Sequence, residues 1–275
     1  ERWQASRETP YRESVCNAPL TNLYFTVDGQ VAPCWLHFTP ETPRWSPETS
    51  IADIWHGPLF TALRAAHREH RFPEACGVCE HNVETGNLPL AAAYDNDHPI
   101  GEWPTMLELE LSNLCNLECV MCSGQLSSKI RRNRDHLPPL VSPYDDTFVD
   151  QVAELLPHLR ELRFNGGEPL MQPIVHKIAD RAAEVRPDIF SLDALAWALY
   201  RNGQLDAAWD AIQRASRLGT RDPRLRYHRG RIAAARKAPG EAIDQLKLAL
   251  SDSPRWDPRE PAEARALLAR LQGGR

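Results

Sequence analysis

The sequence predicts an α/β fold followed by an all-α segment, and three patterns indicate this. A small α+β module comes first, marked by an alternating strand and its return strand within 21–34. Two further strand patterns, at 106–111 and 161–165, each lead into a loop and a helical pattern, as in a parallel βα sheet. Beyond residue 190 the apolar spacing is helical and repeats. We therefore predict domains over 1–100, 101–188 and 189–275.

Net charge, hydropathy and cysteine count exclude several classes of protein. The net charge of -5 gives no general electrostatic reason to bind nucleic acid or an anionic membrane. Mean hydropathy is -0.48, no apolar run is long enough to span a bilayer, and the first residues lack the apolar core of a secretory signal. The 7 cysteines are an odd number and include two C-x-x-C pairs, which favours metal ligation over disulfides. We expect a cytoplasmic protein with no nucleic-acid or membrane partner.

The N-terminal module begins with a hairpin and two helices. Apolar residues alternate along 21–27, and Asp28-Gly29 supplies a turn with positive φ before the return strand. Ser50 is a good N-cap for a helix at 51–55, since an acidic residue follows three positions later. A second helix is predicted from residue 59 to about residue 70.

Four cysteines belong to this module. The hairpin carries Cys34 back towards Cys16, and Cys76 and Cys79 follow the second helix on a predicted loop. Four thiolates, two of them in a C-x-x-C pair, are a complete ligand set for one closed site, either a structural zinc or an iron–sulfur cluster. Residues 81–105, rich in turn-forming residues, are predicted to be a linker.

The other three cysteines follow the strand at 106–111. Cys115, Cys119 and Cys122 have the spacing C-x3-C-x2-C, which lets all three reach one cluster from a short loop. Three thiolates leave one iron of a four-iron cluster with an open coordination site. A closed zinc site would need a fourth ligand nearby, and none follows within this loop.

The strand at 161–165 ends in Gly-Gly-Glu-Pro. Two adjacent glycines allow the backbone to come close to a ligand, because no Cβ stands in the way. Alone this tetrapeptide is a common turn. Its position at the end of a strand, after a strand that ends in the cysteine loop, makes it informative. The residues are Gly166, Gly167, Glu168 and Pro169.

Together these two motifs resemble those of the radical S-adenosylmethionine (radical SAM) superfamily. The resemblance implies a 4Fe–4S cluster on Cys115, Cys119 and Cys122, with S-adenosylmethionine chelating the open iron and its methionine end lying along Gly166 to Pro169. It implies no further catalytic side chain. Met121 stands where the family prefers an aromatic residue that packs near the adenine, and we expect methionine to substitute for it.

The N-terminal module resembles the SPASM/twitch auxiliary-cluster module of radical SAM maturases. Twelve residues separate Cys16 from Gly29, and Cys34 follows at a fixed spacing. The resemblance implies an auxiliary 4Fe–4S cluster on Cys16, Cys34, Cys76 and Cys79. Thr85 stands where a further cysteine would begin a second cluster, so the single-cluster twitch type is expected. A structural zinc site remains the alternative.

The segment after residue 190 repeats with a period of 34 residues. Small residues recur at equivalent positions, as close helix contacts require, with Gly203 at a helix–helix turn and Pro254 ending the second unit. The pattern resembles tetratricopeptide (TPR) repeats, with 261–271 as a capping helix. The paired residues are Ala196 with Gly230, Ala208 with Ala242, Ile212 with Leu246, and Ala215 with Ala249.

The helical repeat begins where a radical SAM barrel would need about four more strand–helix units. The expected architecture is therefore an α+β cluster module, a partial (truncated) βα barrel and TPR-like helical hairpins. Because the change near residue 188 is abrupt, we suspect a fusion. Half a parallel sheet would also leave an unpaired edge strand.

Two functions from different classes follow. The first is a radical SAM enzyme that modifies a peptide or protein, receives its electron from a flavodoxin- or ferredoxin-like donor, and has an incomplete barrel. The second is a non-catalytic interaction protein that binds a partner through TPR-like repeats and carries iron–sulfur or zinc sites. The basic run 129–134 is expected to be a solvated helix face, and His67 and His70 are expected to be exposed.

Overall fold

The computed structural model describes residues 2–8, 13–96, 98–185, 187–217, 221–252 and 256–273. The chain folds as two compact units, Glu1–Ile174 and Val175–Arg275. Within the described ranges, no helix combines the length and the apolar character needed to cross a membrane.

The first unit is built on one mixed four-stranded sheet. Its strands are β1 (Asn22–Phe25), β2 (Val31–Ala32), β3 (Met106–Leu109) and β4 (Glu161–Phe164), in the order β2-β1-β3-β4. β1 and β2 form the predicted antiparallel hairpin, whereas β3 pairs in parallel with both β1 and β4. The hairpin therefore covers one edge of β3. Of the four described strands, β4 and β2 are the edges.

The two faces of the sheet differ in chemistry. Phe25 on β1 lies opposite Leu109 on β3, and both are buried on the apolar face. There Phe25 makes an edge contact with Phe148, at 5.2 Å between ring centroids. Tyr24 and Glu108 lie opposite each other on the other face, so this face carries polar groups.

The described residues before β3 contain six α-helices besides the hairpin. Ser50 caps α3 as predicted, accepting a hydrogen bond from the Asp53 backbone N–H at 2.9 Å. Two predictions are wrong. Cys79 lies in a helix and not on a loop, and the predicted linker contains helical turns and the buried Ala91 and Tyr94. The helices are α1 (Arg2–Ser6), α2 (Ala18–Thr21), α3 (Ile51–Trp55), α4 (Pro58–Arg68), α5 (Gly77–Thr85) and α6 (Leu88–Ala91).

The linker prediction for 81–105 is wrong because the segment contains apolar residues that pack, scattered among turn-forming ones. Ala91 is buried in a small cluster with Trp3 and Val15 near the start of the chain, where Leu88 also packs. Turn-forming residues separate these apolar positions, so no regular period reveals them. Contacts with a distant segment hold the region in place.

Two helices follow the cysteine loop and precede β4. They are α7 (Ser128–Asn133), capped by Ser127, and α8 (Asp146–Leu155), capped by Asp145. Asp145 accepts hydrogen bonds from two backbone N–H groups at the start of α8. α8 buries its apolar face against the sheet through Phe148.

The second unit is helical in its described ranges. It comprises α9 (Pro173–Val185, from Val175 onward), α10 (Ile189–Arg201), α11 (Leu205–Ser216), α12 (Pro223–Ala235), α13 (Pro239–Asp252) and α14 (Glu260–Gly273). α12 begins and ends 34 residues after α10, which matches the predicted period. The paired small and apolar residues at 196/230, 208/242, 212/246 and 215/249 are buried. Pro254 lies outside the described residues.

Candidate metal centres

The four cysteines of the N-terminal module come from four different elements. Cys16 precedes α2, Cys34 follows β2, Cys76 ends a single 3-10 turn, and Cys79 lies in the first turn of α5. All four are free and partly buried. Cys16 and Cys34 pack against one buried cluster that includes Tyr94.

Burial and mutual proximity keep these thiols protonated. Burial raises the pKa of Cys34 to about 11 and that of Cys76 to about 12. Burial also raises the pKa of Cys16, and the three other cysteines raise it further because each thiolate would repel its neighbours. The group releases its protons only when positive charge compensates, which a metal centre provides. The donor set therefore fits a thiolate-bound metal group.

These donors do not converge on one point. In the part of the chain that the structure describes, no three His, Cys, Asp or Glu side chains lie together as ligands of a single ion. A multi-iron cluster distributes its protein ligands over several irons, so it does not require three of these side chains to meet at one ion.

His67 lies beside two of these cysteines, which the sequence analysis does not predict. The residue is 3% exposed on α4, so the expectation of an exposed histidine is wrong, whereas His70 is exposed as expected. Its Nδ1 lies 3.1 Å from the carbonyl oxygen of Cys16, and its Nε2 lies 3.8 Å from the sulfur of Cys76. Burial lowers the pKa of His67 to about 4, which keeps the ring neutral. The signal available was its place in the helix that directly precedes the C-x-x-C pair.

The three-cysteine loop lies at the carboxyl end of β3 and is held by the start of α7. The Cys115 N–H donates to the Ser128 hydroxyl at 3.1 Å, and the Ser127 hydroxyl donates to the Leu117 carbonyl at 2.7 Å. Cys119 is exposed, whereas Cys115 and Cys122 are partly buried. Three thiols on a solvent-facing loop, with its start fixed by a helix, can turn towards a common cluster.

Met121 lies on the exposed part of the cysteine loop. Its side chain is 93% exposed, beside Val120 at 98%. The role of Met121 near an adenine therefore stays a prediction.

Gly166 and Gly167 bring the second motif against the cysteine loop. Both have positive φ, at +69° and +52°. The N–H of Gly167 donates to the Leu126 carbonyl at 3.1 Å, and that of Glu168 donates to the Leu114 carbonyl at 2.8 Å. A Cβ on Gly167 would lie 2.5 Å from the same Leu114 oxygen. The two predicted motifs thus share a hydrogen-bonded junction.

The side chain of Gln172 also hydrogen-bonds to this junction. Its amide nitrogen donates to the carbonyl oxygens of Gly166 and Ser112, at 3.1 and 3.3 Å. Pro169 begins a single 3-10 turn that leads to this residue. The turn after Gly-Gly-Glu-Pro therefore fixes the glycine edge to the end of β3.

Glu110 lies beneath the glycine edge and was not predicted. It is buried, follows β3 directly, and is the nearest side chain to a Cβ placed on Gly166. Burial raises the pKa of Glu110 to about 7, and a hydrogen bond from Tyr24 partly opposes this. The signal in the sequence was the alternation L-E-L-E-L, which places two acidic residues inside a buried strand.

A hollow opens beside the cysteine loop. Its volume is about 790 Å³, which is within the usual range of cofactor pockets. Residues 112–116 and the basic side chains Lys129, Arg131 and Arg132 line it. Arg132 and Arg134 are exposed, as expected for a solvated helix face, and Lys129 pairs with Glu118 at 3.3 Å.

Comparison with known proteins bears on the N-terminal module. Residues 16–80 match the family model of SPASM, an iron–sulfur cluster-binding domain. No curated protein matches the chain. The matched segment contains Cys16, Cys34, Cys76 and Cys79 together with His67. The match therefore supports the prediction of an iron–sulfur cluster-binding module in this part of the chain.

Proposed function

We propose that this chain is a radical SAM-type protein whose cluster loop binds S-adenosylmethionine. The observation that carries the proposal is the junction between the two motifs. Gly167 and Glu168 donate backbone hydrogen bonds to the loops on either side of the cysteines, so a ligand on the glycine edge would lie beside the open iron. The SPASM match adds support, because that module accompanies radical SAM domains in the family resemblance above.

The proposed roles follow from the donor sets. Cys115, Cys119 and Cys122 would hold a 4Fe–4S cluster by three thiolates, and Gly166 to Pro169 would line the methionine end of the bound S-adenosylmethionine. When bound and reduced, this cluster supplies the electron that cleaves S-adenosylmethionine to methionine and a 5′-deoxyadenosyl radical. The chain's own contribution is to position the ligand and leave one iron without a protein ligand.

The N-terminal module would hold the auxiliary group. Cys16, Cys34, Cys76 and Cys79 are the ligands proposed for it, and the SPASM match supports iron–sulfur over zinc. Such a group would relay electrons or anchor the substrate. By the same resemblance we propose a peptide or protein substrate and a flavodoxin- or ferredoxin-like electron donor.

The small sheet restricts how much of a radical SAM barrel the described strands can form. Among the described strands, β3 and β4 are parallel neighbours, and each is followed by helices, as barrel strands are. β1 is also parallel to β3 and covers its other edge, but β1 leads into the hairpin strand β2. We propose a partial barrel, closed on one side by the hairpin of the cluster module.

A second candidate function rests on the helical unit, which we propose resembles TPR repeats in binding a peptide or partner helix. A cavity of about 460 Å³ lies among α10, α12 and α14. The Arg231 guanidinium lies over the rings of Trp197, Tyr200 and Tyr227, at 5.6 to 5.9 Å from their centroids. An aromatic hollow with a central cation suits a peptide partner, and the repeats would then serve recruitment.

The test of the proposed function is a spectroscopic response to S-adenosylmethionine. The protein is reconstituted anaerobically with iron and sulfide, reduced, and measured by electron paramagnetic resonance with and without S-adenosylmethionine. We expect the signal of one cluster to change on addition and to be missing from the Cys115→Ala/Cys119→Ala/Cys122→Ala variant. A reduced cluster signal that S-adenosylmethionine leaves unchanged contradicts the proposal and favours the interaction protein.

A further inference from the structure

Two acidic residues are buried at the end of β3, but only one of them has a cationic partner. Glu108 accepts hydrogen bonds from the Tyr94 hydroxyl at 2.5 Å and the Asn22 side-chain amide at 3.0 Å, and the Arg163 guanidinium lies 3.6 Å from it. Glu110 is 9% exposed, and in the part of the chain that the structure describes no ion pair includes it. The charge of Glu108 is therefore compensated, whereas that of Glu110 is not.

The charged and titratable groups around Glu110 leave this negative charge without a partner. The Tyr24 hydroxyl on β1 donates a hydrogen bond to it, and Asp28 in the hairpin turn raises its pKa by repulsion. The nearby Arg44 guanidinium is paired with Asp28 at 3.0 Å. Before α8, the charge of Glu110 helps to raise the pKa of Tyr144. Because a buried carboxylate without a counter-charge is costly, ionised Glu110 would be stabilised by a cation that the described residues do not supply.

The side chain of Glu110 lies directly against the glycine edge. A Cβ on Gly166 would lie 2.4 Å from Cγ of Glu110 and 3.4 Å from its carboxyl carbon. Atoms that are not bonded do not approach as closely as the first of these distances, so any other residue at position 166 would displace Glu110. The missing Cβ therefore leaves the space that the acid occupies. This places an uncompensated carboxyl group against the edge that we propose lines the methionine end of S-adenosylmethionine.

The methionine end of S-adenosylmethionine contains a sulfonium, which is a permanent cation. The sulfonium has no N–H or O–H group, so a protein recognises it by charge and not by a conventional hydrogen bond. A carboxylate attracts such a cation most strongly where water is excluded. S-adenosylhomocysteine lacks one methyl group and the positive charge but is otherwise the same molecule. An acid beside the sulfonium would therefore favour the first molecule over the second.

We propose that Glu110 is the counter-charge for the sulfonium of S-adenosylmethionine and thereby distinguishes this molecule from S-adenosylhomocysteine. This inference rests on the proposed function. It also sets the pH dependence of binding, because burial raises the pKa of Glu110 to about 7 and a neighbouring cation lowers the pKa of a carboxyl group. Binding then releases a proton wherever the free protein still holds one. The contribution of Glu110 to affinity is small below its pKa and grows as the pH rises through it.

The experiment measures binding and not cleavage. The full-length protein is reconstituted anaerobically with iron and sulfide and left without reductant. Isothermal titration calorimetry then gives the dissociation constants of S-adenosylmethionine and S-adenosylhomocysteine at about pH 6 and about pH 8, on either side of the pKa of Glu110. The unaltered protein is compared with Glu110→Gln, and Glu102→Gln is the matched control because Glu102 is exposed.

We expect Glu110→Gln to weaken binding of S-adenosylmethionine about tenfold at pH 8, the factor that corresponds to one pKa unit, and by less than about twofold at pH 6. Its affinity for S-adenosylhomocysteine should stay within about twofold of the unaltered protein at both pH values. Titration of the ligand itself cancels, because both proteins meet the same ligand. Glutamine keeps an acceptor for the Tyr24 hydroxyl, and iron analysis verifies that the variant holds its cluster.

The contrary outcomes are distinct. If Glu110→Gln weakens binding of both molecules equally, Glu110 supports the shape of the edge and not the charge, and the inference is overturned. It is also overturned if the affinity of this variant for S-adenosylmethionine is unchanged, or if Glu102→Gln loses as much; the proposed function then stands, since S-adenosylmethionine still binds. If the unaltered protein with its iron in place binds no S-adenosylmethionine, the proposed function fails and the inference fails with it.

Discussion

At the scale of single residues, Gly167 connects the two motifs of the proposed cofactor site. Its φ of +52° is one that side-chain-bearing residues rarely adopt, and a Cβ there would lie 2.5 Å from the Leu114 carbonyl oxygen. Leu114 directly precedes Cys115, so any added atom moves the start of the cysteine loop. The glycine is needed by both the backbone conformation and the close approach.

We expect Gly167→Ala to lower the free energy of unfolding by roughly 1 to 3 kcal/mol, the usual cost of a strained backbone conformation. It should also reduce iron bound by the three-cysteine loop, because the loop is displaced. Urea denaturation and iron analysis measure the two effects. Gly101→Ala is the control, since a Cβ at Gly101 meets nothing within 4 Å. Equal stability and iron content in both variants would show that the junction does not depend on this contact.

Glu110 makes stability depend on pH. Its pKa is raised from 4.5 to about 7 because it is buried, so the folded protein holds this proton more tightly than the unfolded chain. Below pH 4.5 both states are protonated and there is no difference. Between about pH 4.5 and 7 the folded state progressively loses stability relative to the unfolded state, and above pH 7 the full penalty remains.

We therefore expect Glu110→Gln to stabilise the protein at pH 8 by on the order of 2 to 3 kcal/mol, and to have little effect near pH 4.5. Glutamine retains an acceptor for the Tyr24 hydroxyl. Melting temperatures of the metal-free protein across this range measure the effect, with Glu102→Gln as an exposed control. A difference between Glu110→Gln and the parent that stays constant with pH would contradict a raised pKa.

At the scale of elements, the second unit depends on close contact between α12 and α13. A Cβ on Gly230 of α12 would lie 2.9 Å from the side chain of Leu246, which is fully buried on α13. The equivalent residue one period earlier is Ala196, which is also fully buried. The close contact between α12 and α13 therefore requires a small residue at position 230, and the equivalent position one period earlier is also small.

Substitution of Gly230 by valine should force these two helices apart. We expect a loss of roughly 1 to 3 kcal/mol, typical of overpacking a buried contact. Gly240→Ala is the matched control in α13, where a Cβ meets nothing within 4 Å and helix propensity favours alanine by up to about 1 kcal/mol. Calorimetry distinguishes the two variants. If Gly230→Val melts no lower than Gly240→Ala, the helix crossing tolerates larger residues.

The elements also show what could be predicted from the sequence. The hairpin, the cap at Ser50 and the helix before the C-x-x-C pair follow local rules, and these predictions are confirmed. The pairing of β1 with β3 joins segments about eighty residues apart. No local pattern specifies such a pairing, and the sequence therefore predicts the hairpin only as part of a separate module. The burial of His67 was missed for the same reason, since its partner Cys16 is distant in sequence.

At the scale of the whole molecule, one unit contains both proposed metal centres. Cys34 follows β2 and Cys115 follows β3, and both strands belong to the same sheet. β1 lies between β2 and β3, so the hairpin physically connects the cluster module with the strand that ends in the cysteine loop. The second unit carries the helical repeats and a separate aromatic cavity. The proposed iron–sulfur sites therefore lie in the first unit, and the proposed partner-binding repeats lie in the second.

The central claim is that the first unit cleaves S-adenosylmethionine. The most direct test incubates the anaerobically reconstituted, full-length protein with S-adenosylmethionine and dithionite and measures 5′-deoxyadenosine by chromatography and mass spectrometry. We predict that 5′-deoxyadenosine accumulates with the unaltered protein and is missing with the Cys115→Ala/Cys119→Ala/Cys122→Ala variant. If no 5′-deoxyadenosine forms while iron analysis shows both clusters in place, the claim is wrong.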